Sequence, residues 1–396
     1  GIMRELKNAN AGNLQSSLPF RNLGISGRFT YAYDEKYFTE FNFGYNGSER
    51  FAKSERFGFF PSFGLGWFVS NEKFMKKYES FISKLKLKAT YGLVGNDQIG
   101  SSSDRFFYIS QVNLNDGSLG SPFGIEFGNY TNGVSINRYA NDQITWAKAK
   151  MLNLGVEFNL FNNIEIQADY FTEKRTNILM DRAQIPSTMG LQAPVRANVG
   201  EASSNGYEFT IDYKNSIGKD LFLGLRANFS YADSKYEVFE ELDYVTAGLP
   251  WRSRIGLNLS LSYGYIAGRL FIDDADISNS PLQTFGDYMP GDIKYKDINK
   301  DGIIDINDEV PIGYPTTPKI IYGFGLSASY KKVDFSFFFQ GSAQSSFFID
   351  AYNSSPFIDT YGGAIGNNAL LKLGQMTIGL KMIEIYMQHG QDYQIN

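Results

Sequence analysis

The 396-residue chain contains no cysteine and only one histidine, His389. The first absence removes disulfides, thiolate metal sites and cysteine nucleophiles together. The second leaves little scope for histidine catalysis or a multi-histidine metal site. No stretch of the sequence approaches eighteen consecutive apolar residues, which excludes a transmembrane helix. Positive charge is not in excess: 37 Lys and Arg stand against 42 Asp and Glu, for a net charge of -5. That balance argues against nucleic acid as a partner. Nothing at Gly1 reads as a signal peptide, so a targeting segment is expected to lie outside this sequence.

Aromatic residues, by contrast, make up 16% of the chain, with 34 Phe, 26 Tyr and 3 Trp. They fall on one side of segments in which apolar and polar residues alternate. In Lys84–Leu93, the odd positions are Leu85, Leu87, Ala89, Tyr91 and Leu93, and the even ones are Lys84, Lys86, Lys88, Thr90 and Gly92. The pattern recurs with Leu152, Leu154, Val156, Phe158 and Leu160, and again with Tyr207, Phe209, Ile211 and Tyr213. A period of two sends the two sets to opposite faces of a strand. Strands greasy and aromatic on one side and wet on the other are what a membrane-spanning barrel needs. In lipid every backbone N–H and C=O must be paired, and a closed barrel pairs them without an exposed edge. The expected fold is therefore all-β, a transmembrane antiparallel β-barrel in the outer membrane. Leu85, Leu87, Tyr91, Phe209, Ile211, Phe335 and Phe337 should face lipid. Lys86, Lys88, Glu208, Asp212, Asp334 and Ser336 should face the lumen, because a one-residue slip would put charge into hydrocarbon.

Short and long connections alternate. Brief turns stand at Asp34-Glu35-Lys36, Phe161-Asn162-Asn163, Asn215–Asp220 and Lys331-Lys332. Long stretches rich in Gly, Ser, Asn and Asp run over 95–143, 181–204, 236–318 and 349–368. Outer-membrane barrels keep short turns on the periplasmic side and long loops outside, and roughly twelve strands are expected here. Gly1–Arg21 reads as a loop before the first strand, and Leu371–Gln394 as a late hairpin.

Several stretches carry a resemblance. They are Tyr33-Asp34-Glu35-Lys36-Tyr37, Gly58–Phe63 through Gly66-Trp67, and Tyr91-Gly92-Leu93-Val94-Gly95-Asn96-Asp97. Ala140–Trp146 follows, with Asp142 where Pro is usual and Ala147 where Glu is usual. Next come Asn198-Val199-Gly200-Glu201, then Asn205-Gly206-Tyr207-Glu208, and Pro290-Gly291-Asp292 running on to Gly302. In this order they resemble the SusC-like (RagA-like) TonB-dependent outer-membrane transporters of Bacteroidetes. The resemblance implies that residues 1–396 are the C-terminal part of a barrel of roughly 22 strands with long extracellular loops. A plug and a TonB-contacting N-terminal region would lie upstream, outside this sequence. It further implies import of oligosaccharides or peptides across the outer membrane with a SusD-like surface lipoprotein and energy from TonB. A passive porin or structural barrel is one rival reading, and a soluble carbohydrate-binding or adhesin β-protein is another.

One loop has metal-ligand spacing. Asp297, Asn299, Asp301, Asp305 and Asp308 place side-chain oxygens at positions 1, 3, 5, 9 and 12, with Gly302 at position 6 and a carbonyl from Ile303. A hard cation such as Ca2+ takes several convergent oxygens, and this spacing can wrap them round one point. Asp308 replaces the longer Glu of an EF-hand, and strand-like residues flank the loop instead of helices. A solvated Asn/Asp/Gly turn without metal is the alternative. Lys84, Lys86 and Lys88 read as lumen polarity more than as an anion-attracting stripe. Phe59, Phe60, Trp67 and the run Phe335, Phe337, Phe339 could serve as ligand platforms but read as lipid-facing surface, and Trp146 as an interface anchor. The carboxylate pairs Glu240-Glu241 and Asp273-Asp274 lack the geometry of a glycosidase site. No enzyme is read from the sequence.

Overall fold

The computed structural model describes residues 2–7, 19–100, 105–348, 359–360 and 364–365. His389 and the late hairpin expected at Leu371–Gln394 lie outside the described residues.

The alternating segments become long strands: β1 (Ile2–Lys7), β2 (Phe20–Tyr33), β3 (Tyr37–Ser48), β4 (Phe57–Phe68) and β5 (Ile82–Asn96). A side hairpin, β6 (Gln111–Phe123) and β7 (Asn129–Arg138), intervenes before β8 (Ala147–Leu160), β9 (Ile164–Asp181), β10 (Arg196–Ile217) and β11 (Leu221–Val238). Six short strands follow: β12 (Ser262–Gly264), β13 (Ala267–Leu270), β14 (Leu282–Gln283), β15 (Ile293–Tyr295), β16 (Ile303–Ile304) and β17 (Val310–Ile312). Then come β18 (Ile320–Tyr330) and β19 (Val333–Ala343). Eleven strands make one sheet in the order β1-β2-β3-β4-β5-β8-β9-β10-β11-β18-β19. Each strand therefore pairs with its neighbour along the chain, skipping only the side hairpin and the short strands. The sheet is open among the described residues, with β1 and β19 at its edges.

Two sequence expectations change here. Ile2–Lys7 is a strand paired antiparallel with β2, and not part of a loop. Its Arg4-Glu5 dipeptide breaks the period of two over only six residues, too short a run to register. Within 95–143, the expected loop carries the β6–β7 hairpin, whose irregular register hides its alternation.

Turn chemistry sets the short connections. Asp34 and Glu35 both take positive φ (51° and 50°), as do Phe161 and Asn162 (53° and 62°). Lys36 N–H donates to the Tyr33 carbonyl at 3.0 Å, and Asn163 N–H to that of Leu160 at 3.0 Å. Two consecutive left-handed residues twist the chain as the strands of a tight hairpin require.

The chain divides into two compact units, the sheet with its hairpins and a second made chiefly of Asp243–Arg254 and Asn258–Lys319. The long connection after β11 is thus a small folded body, which its Gly- and Asp-rich composition conceals. Its core gathers Ile293, Tyr295 and Ile304 against Tyr265 and Leu270. Buried Gln283 ties that core together, donating to the Ile293 carbonyl at 3.1 Å and accepting from Tyr295 N–H at 2.8 Å.

Candidate functional site

Registering the strands against each other turns the period of two into rows that cross the sheet. One row reads Trp67, Leu87, Val156, Ala168, Phe209, Phe229 and Tyr322. The next on the same face reads Leu65, Ala89, Leu154, Tyr170, Tyr207, Tyr231 and Ile320. Leu85, Phe158, Ile166, Ile211, Ala227 and Phe324 form a third. Phe339 packs on Phe324 at 5.4 Å and on Phe337 at 5.4 Å, and Phe335 sits 5.9 Å from Phe337, so β19 extends this face. The seven residues expected against lipid share it.

The band ends where polar residues replace the aromatics. Beyond Tyr170, Tyr207 and Tyr231 the same face continues as Thr172, Asn205 and Asp233, then Lys174, Ser203 and Lys235. Tyr207 and Tyr231 stack at 5.2 Å at that boundary, as an interfacial girdle requires. Ten residue steps separate Leu221 from Tyr231 on β11, or ~33 Å along the strand, which a tilt of about 40° reduces to ~25 Å, the usual apolar height. β9–β11 run on past it as a polar sheet, cross-linked by Lys174–Glu201 (2.8 Å) and Ser203–Glu237 (2.6 Å).

The opposite face carries an ion ladder. Lys84 pairs with Glu157 at 2.9 Å and reaches Glu165 at 3.9 Å, while Lys86 and Lys88 approach Glu157 at 3.5 and 3.8 Å. Lys88 also meets Asp169 at 3.0 Å, and Arg226 meets Asp212 at 2.7 Å. The three lysines are therefore compensated by carboxylates of β8 and β9. They do not form an uncompensated cationic stripe. Sequence could not pair them, because Glu157 follows Lys86 only after a connection of some fifty residues. Charges on this face and aromatics on the other define a lumen side and a lipid side.

At the end of the sheet carrying the long connections, a buried cluster joins Phe51, Phe60, Ile99, Phe107, Ile144 and Trp146. Trp146 is 6% exposed. It donates Nε1–H to the Arg56 carbonyl at 3.1 Å and packs 5.2 Å from Phe60 and 5.4 Å from Phe51. Two readings are corrected here: Trp146 is loop core and no interface anchor, and Phe60 is buried with it, while Phe59 stays on the apolar face. Gly58 and Gly95 permit this, because a Cβ at either would stand 2.3 and 2.0 Å from the Phe60 ring. Arg138 closes the cluster, donating to the Arg105 carbonyl at 2.8 Å with its guanidinium 5.3 Å from the Phe107 ring. Trp67 keeps its expected place on the apolar face beside Tyr37, at 6.3 Å, with Nε1 donating to Glu72 at 3.2 Å.

In the second unit, the Asp297–Asp308 loop folds on its own backbone. Asp297 accepts from the N–H groups of Lys300 (2.6 Å) and Gly302 (2.9 Å). Asn299 accepts from Asp301 N–H (3.0 Å), and Asp301 from Ile303 N–H (2.8 Å). Asp305 caps Asn307 N–H at 2.8 Å. Fully buried Asp308 takes Ile298 N–H at 2.7 Å and Asp305 N–H at 3.0 Å, tying the start of the loop to its end. Gly302 has φ +86°, open to glycine without strain. Among the described residues no three acidic or histidine side chains converge closely enough to cage a metal. Nearby, burial and the carboxylates of Glu309, Asp305 and Asp308 raise the Tyr265 hydroxyl above its ordinary pKa.

Other acidic residues of the connections have local duties. Glu240 pairs with Arg182 at 2.8 Å, and Asp273 caps the short helix Asp274–Ser278 through Asp276 N–H at 2.7 Å. Asp276 accepts from Arg269 Nη2 at 2.7 Å, Lys294 at 3.0 Å and Ile272 N–H at 3.1 Å. Above all the Arg269 hydrogen bond holds its carboxyl well below the usual carboxylate range.

A two-faced antiparallel sheet with an apolar band, a tyrosine girdle and an ion-paired inner face is the wall of an outer-membrane β-barrel. Residues 5–353 match the family described as TonB dependent receptor-like, beta-barrel, and the chain belongs to it. It is 29% identical over 362 residues to TonB-dependent receptor P3 of Formosa agariphila, covering 89% of this chain and 33% of that protein. It is 28% identical over 367 residues to TonB-dependent receptor SusC of Bacteroides thetaiotaomicron, covering 90% of this chain and 34% of that one. The fold also matches the solved RagAB peptide transporter, with a TM-score of 0.66 at 20% identity over 95% of this chain and 38% of that one. The chain spans about a third of the length of the curated relatives it matches.

Proposed function

We propose that this segment is the barrel wall of a TonB-dependent importer that takes up oligosaccharides or peptides across the outer membrane. A SusD-like surface lipoprotein would deliver substrate, and TonB would act on a plug carried by the rest of the protein. The observation that carries the reading is the eleven-strand, two-faced sheet within a TonB-dependent receptor match running from residue 5 to residue 353. The likeness to the SusC receptor of Bacteroides thetaiotaomicron and to the RagAB peptide transporter supports the importer over a passive pore. The test is uptake of a labelled substrate mixture by cells with and without the full-length gene, in backgrounds with and without TonB. Uptake that needs both is expected. Uptake that persists without TonB would leave a passive porin as the better reading.

For Asp297–Asp308 we propose a structural calcium site outside the membrane, holding the long connection in one shape for its partner. The support is the 1-3-5-9-12 oxygen spacing and the carboxylate of Asp301, which gives one oxygen to the Ile303 N–H and the other only to the side-chain amide of Asn299. Extracellular calcium is millimolar, so even a site of about 10⁻⁴–10⁻³ M affinity would fill.

A further inference from the structure

On β2–β4 the apolar face climbs in rows from Tyr33·Tyr37·Trp67 through Phe29·Phe41·Phe63 to Leu23·Gly47·Phe57. Phe57 and Trp67 stand ten residue steps apart, which spans the same ~25 Å apolar height as on β11. One row further along this face, at the end carrying the long connections, Arg21 follows Leu23 and Glu49 follows Gly47. Glu49 N–H still donates to the Arg21 carbonyl there, at 3.2 Å. Arg21 grips the Glu49 carboxylate with Nε at 2.9 Å and Nη2 at 2.8 Å. Arg56 comes no nearer to that carboxylate than 3.6 Å, beyond hydrogen-bond distance, and its Nε has no acceptor among the described residues. With Leu23 and Phe57 these three side chains line a cleft of about 310 Å³. Its floor is bare at Gly47, where a Cβ would stand 2.4 Å from the Phe57 ring.

Arg21, Glu49 and Arg56 are the charged residues of this lining among the described residues, so two guanidiniums share one carboxylate and one positive charge is in excess. Arg50, Lys53 and Glu55 of the connecting loop stay outside it. A guanidinium matches phosphate geometry with paired N–H groups. Directly below, exposed Leu23, Ile25 and Phe57 offer an apolar wall, with Tyr45 stacked on Phe57 at 5.2 Å. We infer that this cleft binds the phosphate of an outer-leaflet lipid, whose acyl chains lie along the apolar rows beneath it. A soluble anion would meet the same arginines but gain nothing from those rows. The site faces outward, away from the ion ladder and whatever the barrel encloses, and its strands are flanked within this chain by β1 on one side and β5 on the other.

The test is native mass spectrometry of the purified full-length protein in detergent, titrated with monophosphoryl lipid A and, separately, with the same lipid stripped of its phosphate. Inorganic phosphate serves as a competitor. The phosphorylated lipid should bind more tightly than the stripped one, and millimolar inorganic phosphate should not displace it. Arg56→Gln removes a guanidinium that makes no hydrogen bond to Glu49, and it should weaken binding of the phosphorylated lipid about tenfold while leaving the stripped lipid unchanged. Glu49→Gln removes the competing carboxylate and should tighten binding about twofold or more. A purely structural trio would give no gain from Glu49→Gln. Heat-modifiable gel mobility checks that each variant keeps its barrel. Equal binding of the two lipids, or no loss in Arg56→Gln, would overturn the inference. So would loss instead of gain in Glu49→Gln, and displacement by inorganic phosphate would make this a site for soluble anions instead.

Discussion

Lys88 on β5 and Asp169 on β9 meet at 3.0 Å across an intervening strand. They can do so because the residue between them in the row is Gly155. A Cβ there would stand 2.1 Å from Lys88 Cε and 2.3 Å from Asp169 Oδ1. The glycine is thus part of the ion ladder, although it carries no charge itself.

Gly155→Ala should push the two side chains apart and cost no more than about 1 kcal/mol, because both can swing away and the pair is partly solvated. In a Lys88→Met background the same substitution should cost almost nothing further, since the interaction it breaks is already gone. Thermal unfolding of the four proteins in detergent measures this cycle. Additive losses would mean that Gly155 is needed for backbone packing alone.

The two faces make opposite demands on neighbouring residues. Phe158→Arg places charge in the middle of the apolar rows and should cost about 2–4 kcal/mol. Asn159→Arg, one residue away, points to the ladder face and should assemble normally. Heat-modifiable gel mobility of membrane-inserted protein reads both. Equal loss from the two would contradict the assignment of faces.

The faces were legible in the sequence because each long strand carries its own period of two, and Leu85–Leu93 or Tyr207–Tyr213 needs no partner to be read. The resemblance added the family. Partnerships across the sheet were not legible: nothing local to Lys84, Lys86 and Lys88 announces Glu157. Nor could Trp146 be separated from an interface tryptophan, since its burial depends on Phe51 and Phe60 arriving from another hairpin. The second unit was hidden for the opposite reason. Strands of two to four residues are too short for any period, and its core rests on scattered Tyr265, Tyr295 and Ile304.

Trp146→Ala should open the loop cluster, with a local loss of about 3–5 kcal/mol from the cavity and the lost Arg56 hydrogen bond. Trp146→Phe should retain most of the packing. Limited proteolysis should show cleavage within 105–143 for the alanine variant while the strands stay protected. Unchanged protection of that stretch would return Trp146 to a role at the membrane surface.

The second unit should tolerate acid better than ordinary carboxylates allow. Asp276 is held low by Arg269, so the unfolded chain takes up its proton at a higher pH than the folded one. Its contribution is present above about pH 3.9, the ordinary aspartate value, and is lost only as pH falls through the lower folded-state value. Hydrogen exchange of the Arg269–Ser280 backbone between pH 6 and pH 3 should show protection persisting to the acid end in the native protein. In Asp276→Asn, protection should be weaker throughout and no longer change with this proton.

The calcium proposal separates two aspartates of one loop. Asp308 is fully buried and holds the N–H groups of Ile298, Asn299 and Asp305, so Asp308→Ala should loosen the loop whether or not metal is present. Asp301 caps one exposed N–H, that of Ile303, and its second oxygen faces the Asn299 amide. Asp301→Ala should therefore leave the metal-free loop nearly as it is and weaken calcium binding. Calcium calorimetry on the full-length protein, with cleavage at exposed Lys300 as the reporter of loop order, distinguishes the two effects. Calcium should protect Lys300 in the native protein, chelation should expose it, and Asp301→Ala should require more calcium for the same protection. No heat of binding at millimolar calcium would leave the loop as a turn held by its own backbone.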